Sequence, residues 1–226
     1  GALPDSRDIV TGDQSWMPGV DLDGTKGAFA YSGGGYQIAQ LFAEDISGRA
    51  FAPLMNDLVL TPIGMSRSSF AQPIEPDAVR PLKIAGANSA IRPLEGLFWP
   101  LNDSWRDYPM QAAAGLWTTV GDYARFADAL VGAANGRAGL GLNPDVAHEM
   151  LRIVDAGYGL GVFVKEASAT DEFSVYHGGA NAGYRCAFRV FPDREAMIVV
   201  MTNAPDGDRL RWEVFDGLEQ ALMAAG

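Results

Sequence analysis

Two stretches of the 226-residue sequence place proton-carrying side chains next to glycines that bare the backbone. The first is Tyr31-Ser32-Gly33, within AYSGGGYQIAQLFAEDISG, where a phenol and a hydroxyl stand just before an apolar-periodic segment. A serine hydroxyl is a weak nucleophile unless a base lies beside it. A tyrosine acts as a base only where nearby positive charge lowers its pKa from about 10. The second stretch is His177-Gly178-Gly179-Ala180, at the end of a strand-like run. Glycines there leave a strand edge open to close approach, and backbone N–H groups on such an edge can stabilise an oxyanion. Each stretch also has a plain structural reading: a buried tyrosine before a glycine turn, and a turn histidine between two strands.

Other candidate chemistry is sparser. AYSGG is not the G-x-S-x-G nucleophile elbow, which argues against an α/β-hydrolase. Gly33-Gly34-Gly35 lacks both G-x-G-x-x-G and a G-K-[ST] ending, so phosphate binding has little support. His148 in PDVAHEML reads as a solvated helix residue, and Cys186, inside an apolar strand, as an inert core thiol. Asp122, Asp128 and Glu44 fall at solvated-face spacing and suggest no paired-carboxylate site. Ser32, His177 and an acidic residue acting as an independent triad is a further arrangement to test.

Composition narrows the partners. The net charge is −11, with three lysines, fourteen arginines and no basic cluster, which argues against nucleic acid or an anionic membrane surface. A single cysteine excludes an internal disulfide and a cysteine-built zinc site. With only His148 and His177, a multi-histidine metal centre is excluded too, and no cofactor is implied. No apolar run reaches the ~20 residues needed to cross a bilayer. The opening GALPDSRDIVTGDQSW has neither a basic start nor an apolar segment, so it is not read as a signal peptide. The compartment stays open.

The elements that must position these residues follow from periodicity. The first thirty residues read as irregular. From Tyr36, the apolar set Ile38, Leu41, Phe42 and Ile46 predicts a helix stopped at Ser47-Gly48. Phe51 to Val59 repeats the pattern until Pro62 and Gly64. Residues 71–115 hold six prolines with Trp99 and Trp105, a weakly periodic segment expected to cover a core or line a cleft. TTVGDYARFADALVGAANG predicts a helix burying Val120, Tyr123, Phe126, Ala127 and Leu130, ended by Gly136. Asn143-Pro144 starts another, through Leu151. YGLGVFVKE, EFSVYHGG, YRCAFRVFPD and AMIVVMTNA are then strands, the last three spaced as an antiparallel meander. An amphipathic helix closes the chain. Helices, then sheet, then helix means α+β.

In this order the pieces resemble the serine β-lactamase and penicillin-binding-protein superfamily, on its class C-like branch with esterases and D-aminopeptidases. The resemblance runs from about Ala28 to Met223. It rests on YSGGGYQIAQLFAEDISGRAF, VLTPIGMSRSSF, AAAGLWTTVGDYARFADALV, YGLGVFV and YHGGANAGYRCAFRVFPDREAMIVVMTN. It implies a β-lactamase/transpeptidase-like fold: an antiparallel sheet with a C-terminal helix packed on it, and a helical subdomain. Residues 1–155 would be mostly helical and 156–226 would hold the strands and last helix, together forming one incomplete catalytic domain.

That family uses a Ser-x-x-Lys on a buried helix, a Tyr-x-Asn loop, and a Lys-Thr-Gly or His-x-Gly strand. Tyr31-Ser32-Gly33 matches the second element, with glycine where asparagine is usual; this puts penicillin hydrolysis in doubt. His177-Gly178-Gly179 matches the third, and Ala180 stands where the backbone N–H donor is expected. The resemblance implies that Tyr31 and His177 are catalytic and that Gly33, Gly178, Gly179 and Ala180 bind substrate, a small molecule or peptide. It makes Ser32 no nucleophile. Lys26, Lys83 and Lys165 have Asp23, Arg80 and Val162 three positions earlier, so Ser-x-x-Lys is missing. The chain is therefore expected to be the C-terminal portion of a longer hydrolase, lacking the family's opening helix and first strands. Its partner would be its own N-terminal fragment or a second copy. The alternative is a non-catalytic binding module. Export is common in the family, and a cytoplasmic location is equally compatible.

Overall fold

The fold is described from a computed structural model covering residues 3–12, 18–22, 27, 29–74, 107–139, 141–169, 171–181, 183–203 and 207–225. The opening is less irregular than expected. Asp5 caps α1 (Ser6–Thr11) in a reciprocal box with Asp8, and Gly12 ends it in the left-handed conformation. The D-x-x-D spacing carried that signal.

Helix α2 (Gly33–Ser47) stops where expected, at left-handed Gly48, but starts at Gly33 rather than Tyr36, capped by Ser32. It faces differently than its apolar spacing predicts. Gln37 and Gln40 turn inward, whereas Phe42 and Ile46 are 64% and 70% exposed. Polar partners explain part of this inversion. Gln40 accepts the Ala112 N–H at 3.0 Å, and Glu44 accepts the Phe51 N–H at 3.0 Å together with the Ser6 hydroxyl. Glu44, read as solvated, is thus a partly buried fastener.

Helix α3 (Phe51–Met55), a π turn (Asn56–Leu60) and α4 (Thr61–Ile63) form one continuous rod. Pro62 does not break it. The widened turn before the proline leaves room for its ring, and Gly64 makes the stop. Residues 75–106, with Trp99 and Trp105, lie outside the described residues, but the two flanks of that segment are fastened together. Ser69 and Trp117 exchange backbone bonds at 2.9 Å, and the Gln72 amide bonds both Gly115 and Tyr108. Between the flank and the next long helix lies α5 (Gln111–Ala114).

Helix α6 (Val120–Ala134) is capped by Thr119. Val120 is 45% exposed rather than core, and Asp122 is buried rather than solvated. Three donors hold that carboxylate: the Arg67 N–H at 2.7 Å, the Ser68 hydroxyl at 2.9 Å and the Arg125 guanidinium at 2.8 Å. A buried carboxylate is tolerated when its lone pairs are met. Helix α7 (Pro144–Leu151) starts at Asn143 as read, and His148 is exposed.

Strands β1 (Phe163–Lys165), β2 (Ser174–Asn181), β3 (Tyr184–Phe191) and β4 (Ala196–Thr202) form an antiparallel sheet in sequence order. Side-chain alternation splits β3 between two layers. Phe188 and Val190 join Leu130 and Val131 of α6 and Ala147 of α7. Ala187 and Phe191 face the other way, against Phe215 of α8 (Gly207–Ala224). The sheet is therefore covered by α6 and α7 on one face and α8 on the other. Among the described residues, no helix is long and apolar enough to cross a membrane.

Candidate active site

The site begins where β1 stops. β1 pairs with β2 only from Ser174 to Tyr176, while residues 177–181 pair with β3 alone. Among the described residues no strand covers their other edge. Gly178 and Ala180 are exposed there and His177 is half-buried. Ala180 is two residues beyond Gly178, so its N–H lies on the same side of the strand as the Gly178 carbonyl. The side chain of Asn181 ties the strand end to α5 by bonding the Ala114 carbonyl at 2.9 Å.

Tyr31 reaches this edge from the start of α2. The Ser32 hydroxyl accepts the Gly35 N–H at 3.0 Å, so it serves as the helix cap. Tyr31, one residue before the cap, is 64% exposed. Its ring centroid lies 6.0 Å from the His177 imidazole. The two motifs read from the sequence therefore meet.

A third residue stands between them. Tyr158 is buried on the turn before β1, 6.1 Å ring to ring from Tyr31. Its hydroxyl oxygen lies 3.2 Å from Nε2 of His177. Nδ1 of His177 lies 2.6 Å from the Gly178 carbonyl oxygen. A carbonyl only accepts, so Nδ1 carries the proton and the neutral ring presents Nε2 as the acceptor for the Tyr158 hydroxyl. Burial, followed by a hydrogen bond with Tyr36, raises the Tyr158 pKa well above the ordinary phenol range. Sequence reading missed Tyr158. It placed the residue on a strand, whereas Gly157 and Gly161, both at positive φ, bend the chain into a turn there.

Two cavities flank these rings. One, of about 240 Å³, is lined by Phe29, Tyr31, Ser32, Tyr36, Ala39 and Tyr158 among others. The second, of about 170 Å³, is lined by Tyr31, Gly33, Tyr36, Tyr158, Gly161 and His177, with Ala112 and Ala113 on one side. Among the described residues, no carboxylate, lysine or arginine lines either. The glycines have different reasons to be there. A Cβ on Gly179 would stand 2.6 Å from Cys186 Sγ, whereas one on Gly33 would meet nothing within 4 Å. Packing therefore demands Gly179 and leaves Gly33 free. Cys186 is partly buried, and desolvation raises its thiol pKa, in keeping with an unreactive group.

A family model described as Beta-lactamase matches residues 19–219. The chain belongs to the Beta-lactamase family. Solved structures agree on the fold. The octameric penicillin-binding protein homologue from Pyrococcus abyssi aligns with a TM-score of 0.59 at 19% identity, covering 90% of this chain and 45% of that one. D-amino acid amidase from Ochrobactrum anthropi SV3, complexed with L-phenylalanine, aligns at 0.62 and 18% identity, covering 88% and 59%. SurE with D-Leu aligns at 0.62 and 25% identity, covering 93% and 47%. The chain thus spans about half the length of these structures. None of the curated protein sequences compared with it matches. The α+β fold with an antiparallel sheet and a packed C-terminal helix is the one expected of the family.

Proposed function

We propose that the chain contributes the tyrosine and His-Gly-Gly elements of an acyl-transfer site acting on ester or amide bonds, β-lactam or peptide among them. In this reading the nucleophilic serine and its lysine are supplied from outside the 226 residues. The observation that carries this reading is the convergence of Tyr31 and His177 beside the uncovered edge of β2. In this reading the serine attacks the carbonyl while Tyr31 and the lysine manage its proton. The N–H of Ala180 and that of the serine hold the oxyanion. His177 orients the substrate, Gly33, Gly178 and Gly179 let it approach, and water releases the acyl group. Residues 1–155 and 156–226 are then two parts of one catalytic unit.

Two features support a nucleophile from outside these residues. Among the described residues, no lysine or arginine lines either cavity beside Tyr31. Helix α2 also carries an outward stripe of Gly35, Ala39, Phe42 and Ile46, running from the larger cavity along the helix. A segment packed on that stripe would arrive beside Tyr31. A serine-directed fluorophosphonate probe tests the proposal. The 226-residue chain should stay unlabelled, and a chain extended upstream through a Ser-x-x-Lys should be labelled. In the extended chain Tyr31→Phe should slow labelling by about 10²-fold or more. Stoichiometric labelling of the 226 residues alone would refute the proposal.

A further inference from the structure

The uncovered edge of β2 has a cation behind it. Arg211 is buried on α8, the helix that covers one face of the sheet. Its Nη1 donates to two carbonyls at once, that of Gly179 at 3.1 Å and that of Cys186 at 2.7 Å. The rest of the guanidinium is anchored: Nη2 donates to Asp208 at 2.6 Å, and Cζ lies 4.4 Å from the centre of the Trp212 ring. A Cβ on Gly178 would stand 3.6 Å from Nη1, so the charge sits directly behind the glycine pair.

Gly179 and Cys186 are register partners on β2 and β3. One nitrogen reaches both carbonyls because both point into the gap between those strands. A trans peptide unit carries its C=O and its N–H on opposite sides. The unit whose carbonyl meets Arg211 therefore turns its N–H, that of Ala180, to the uncovered edge. This is the N–H that the acyl-transfer reading assigns to the oxyanion. Gly178 is the natural comparison. Both residues are exposed, and by strand alternation the Gly178 N–H faces the same edge. The carbonyl behind it is that of His177, one register pair further along opposite Phe188, whereas the bonds of Arg211 go to Gly179 and Cys186.

We propose that Arg211 is a positioning residue for the oxyanion donor: it fixes the Gly179–Ala180 peptide from behind and polarises it. When the Ala180 N–H donates to an anion, electron density shifts through the amide to the Gly179 oxygen, where the guanidinium receives it. Hydrogen bonds to a charged group are roughly twice as strong as neutral ones. An N–H backed by a cation is therefore a stronger donor than one backed by another amide. Asp208 and Trp212 hold the guanidinium plane, so Nη1 meets the carbonyls without rearranging during the reaction.

The inference rests on the acyl-transfer reading for the use of this N–H, and its test needs no turnover. Hydroxide-catalysed amide exchange removes the N–H proton and leaves negative charge on the carbonyl oxygen of the same peptide unit. It therefore senses the same polarisation. Exchange of the 226-residue chain, followed by NMR under hydroxide catalysis, compares the two edge N–H groups after correction for their sequence neighbours. Ala180 should exchange about tenfold faster than Gly178, in line with the extra strength of a hydrogen bond to a charged group. Arg211→Met keeps the stem and removes the charge, and should abolish that excess by slowing Ala180 while leaving Gly178 alone. Arg211→Lys keeps the charge and should retain part of the excess. An arginine that merely held the fold would give the opposite result, since a loosened strand speeds both amides. The native ratio needs no variant, so it decides even where Arg211→Met does not fold. Equal rates at Ala180 and Gly178 in the native chain, or an Ala180 that speeds up in Arg211→Met, would overturn the proposal whatever the serine probe reports.

Discussion

The Tyr158 hydroxyl bonds Nε2 of His177 across 3.2 Å, joining the turn before β1 to the uncovered part of β2. That reach depends on the bend at Gly161, which sits at φ +87° with the Tyr36 hydroxyl where a Cβ would go. Gly161→Ala adds backbone strain and displaces Tyr36 together. The expected cost is more than about 1 kcal/mol, read from urea melts. An alanine chain as stable as the native one would show that the turn is not under this constraint.

Gly179 is held by a different contact. Its would-be Cβ collides with Cys186 Sγ across the β2–β3 ladder. Gly179→Ala should cost about 1–3 kcal/mol as overpacking, and adding Cys186→Ala should return most of it by removing the sulfur. The double-mutant cycle decides between packing and anything intrinsic to the strand. Strict additivity would show that the two residues do not compete for the same space.

How much of this was legible follows from which rules are local. The Asn143 and Gly48 helix ends are set by neighbouring residues and were readable, whereas the Ser32 cap was passed over because three glycines follow it. Tyr31 and His177 were readable too, because each sits in a short pattern beside glycines. The facing of α2 was not readable. Gln40 and Glu44 turn inward to meet α5, α1 and the start of α3, and apolar spacing is blind to such partners. Asp122 is the same lesson on α6, where its donors come from the distant Arg67 and Ser68 as well as from Arg125. Tyr158 was hidden for a further reason: its contact with His177 depends on a turn that converts a strand-like letter pattern into a hydroxyl aimed at another strand.

The outward stripe of α2 makes a prediction that separates surface from core. Phe42→Glu with Ile46→Lys should change stability by no more than about 0.5 kcal/mol per site, since both residues are mostly exposed. Were they core, truncating Phe42 alone would cost about 3–5 kcal/mol. The same variant should show less self-association on size exclusion at rising concentration. Unchanged elution together with a large loss of stability would place the stripe inside the fold.

Asp122 should behave as a buried fastener. Asp122→Ala strands the Arg67 N–H, leaves the Ser68 hydroxyl only Thr118 to bond, and should cost about 3 kcal/mol in a denaturant melt. Asp122→Asn keeps an acceptor oxygen and should cost less. Equal losses for the two would mean that the carboxylate's second oxygen, which holds Arg125 at 2.8 Å, carries the whole effect.

Acid should loosen the glycine strand through Asp208. The Arg185 guanidinium bonds this carboxylate at 2.6 Å and, with Arg211 nearby, holds its pKa below the ordinary 3.8. A lowered folded-state value means the stabilisation is full above the unfolded value and disappears as the pH falls through the folded one. Asp208 is half exposed, so the effect is modest and screened by salt. Its reach is longer than its size suggests, because Arg211 also bonds the carbonyls of Gly179 and Cys186 at 3.1 and 2.7 Å. Asp208→Asn should therefore flatten the loss of stability below about pH 4, more at low salt than at high. It should also speed amide exchange around Gly179 at neutral pH. Native and variant chains with parallel acid limbs, and equal exchange at Gly179, would show that Arg211 holds the strand without help from this carboxylate.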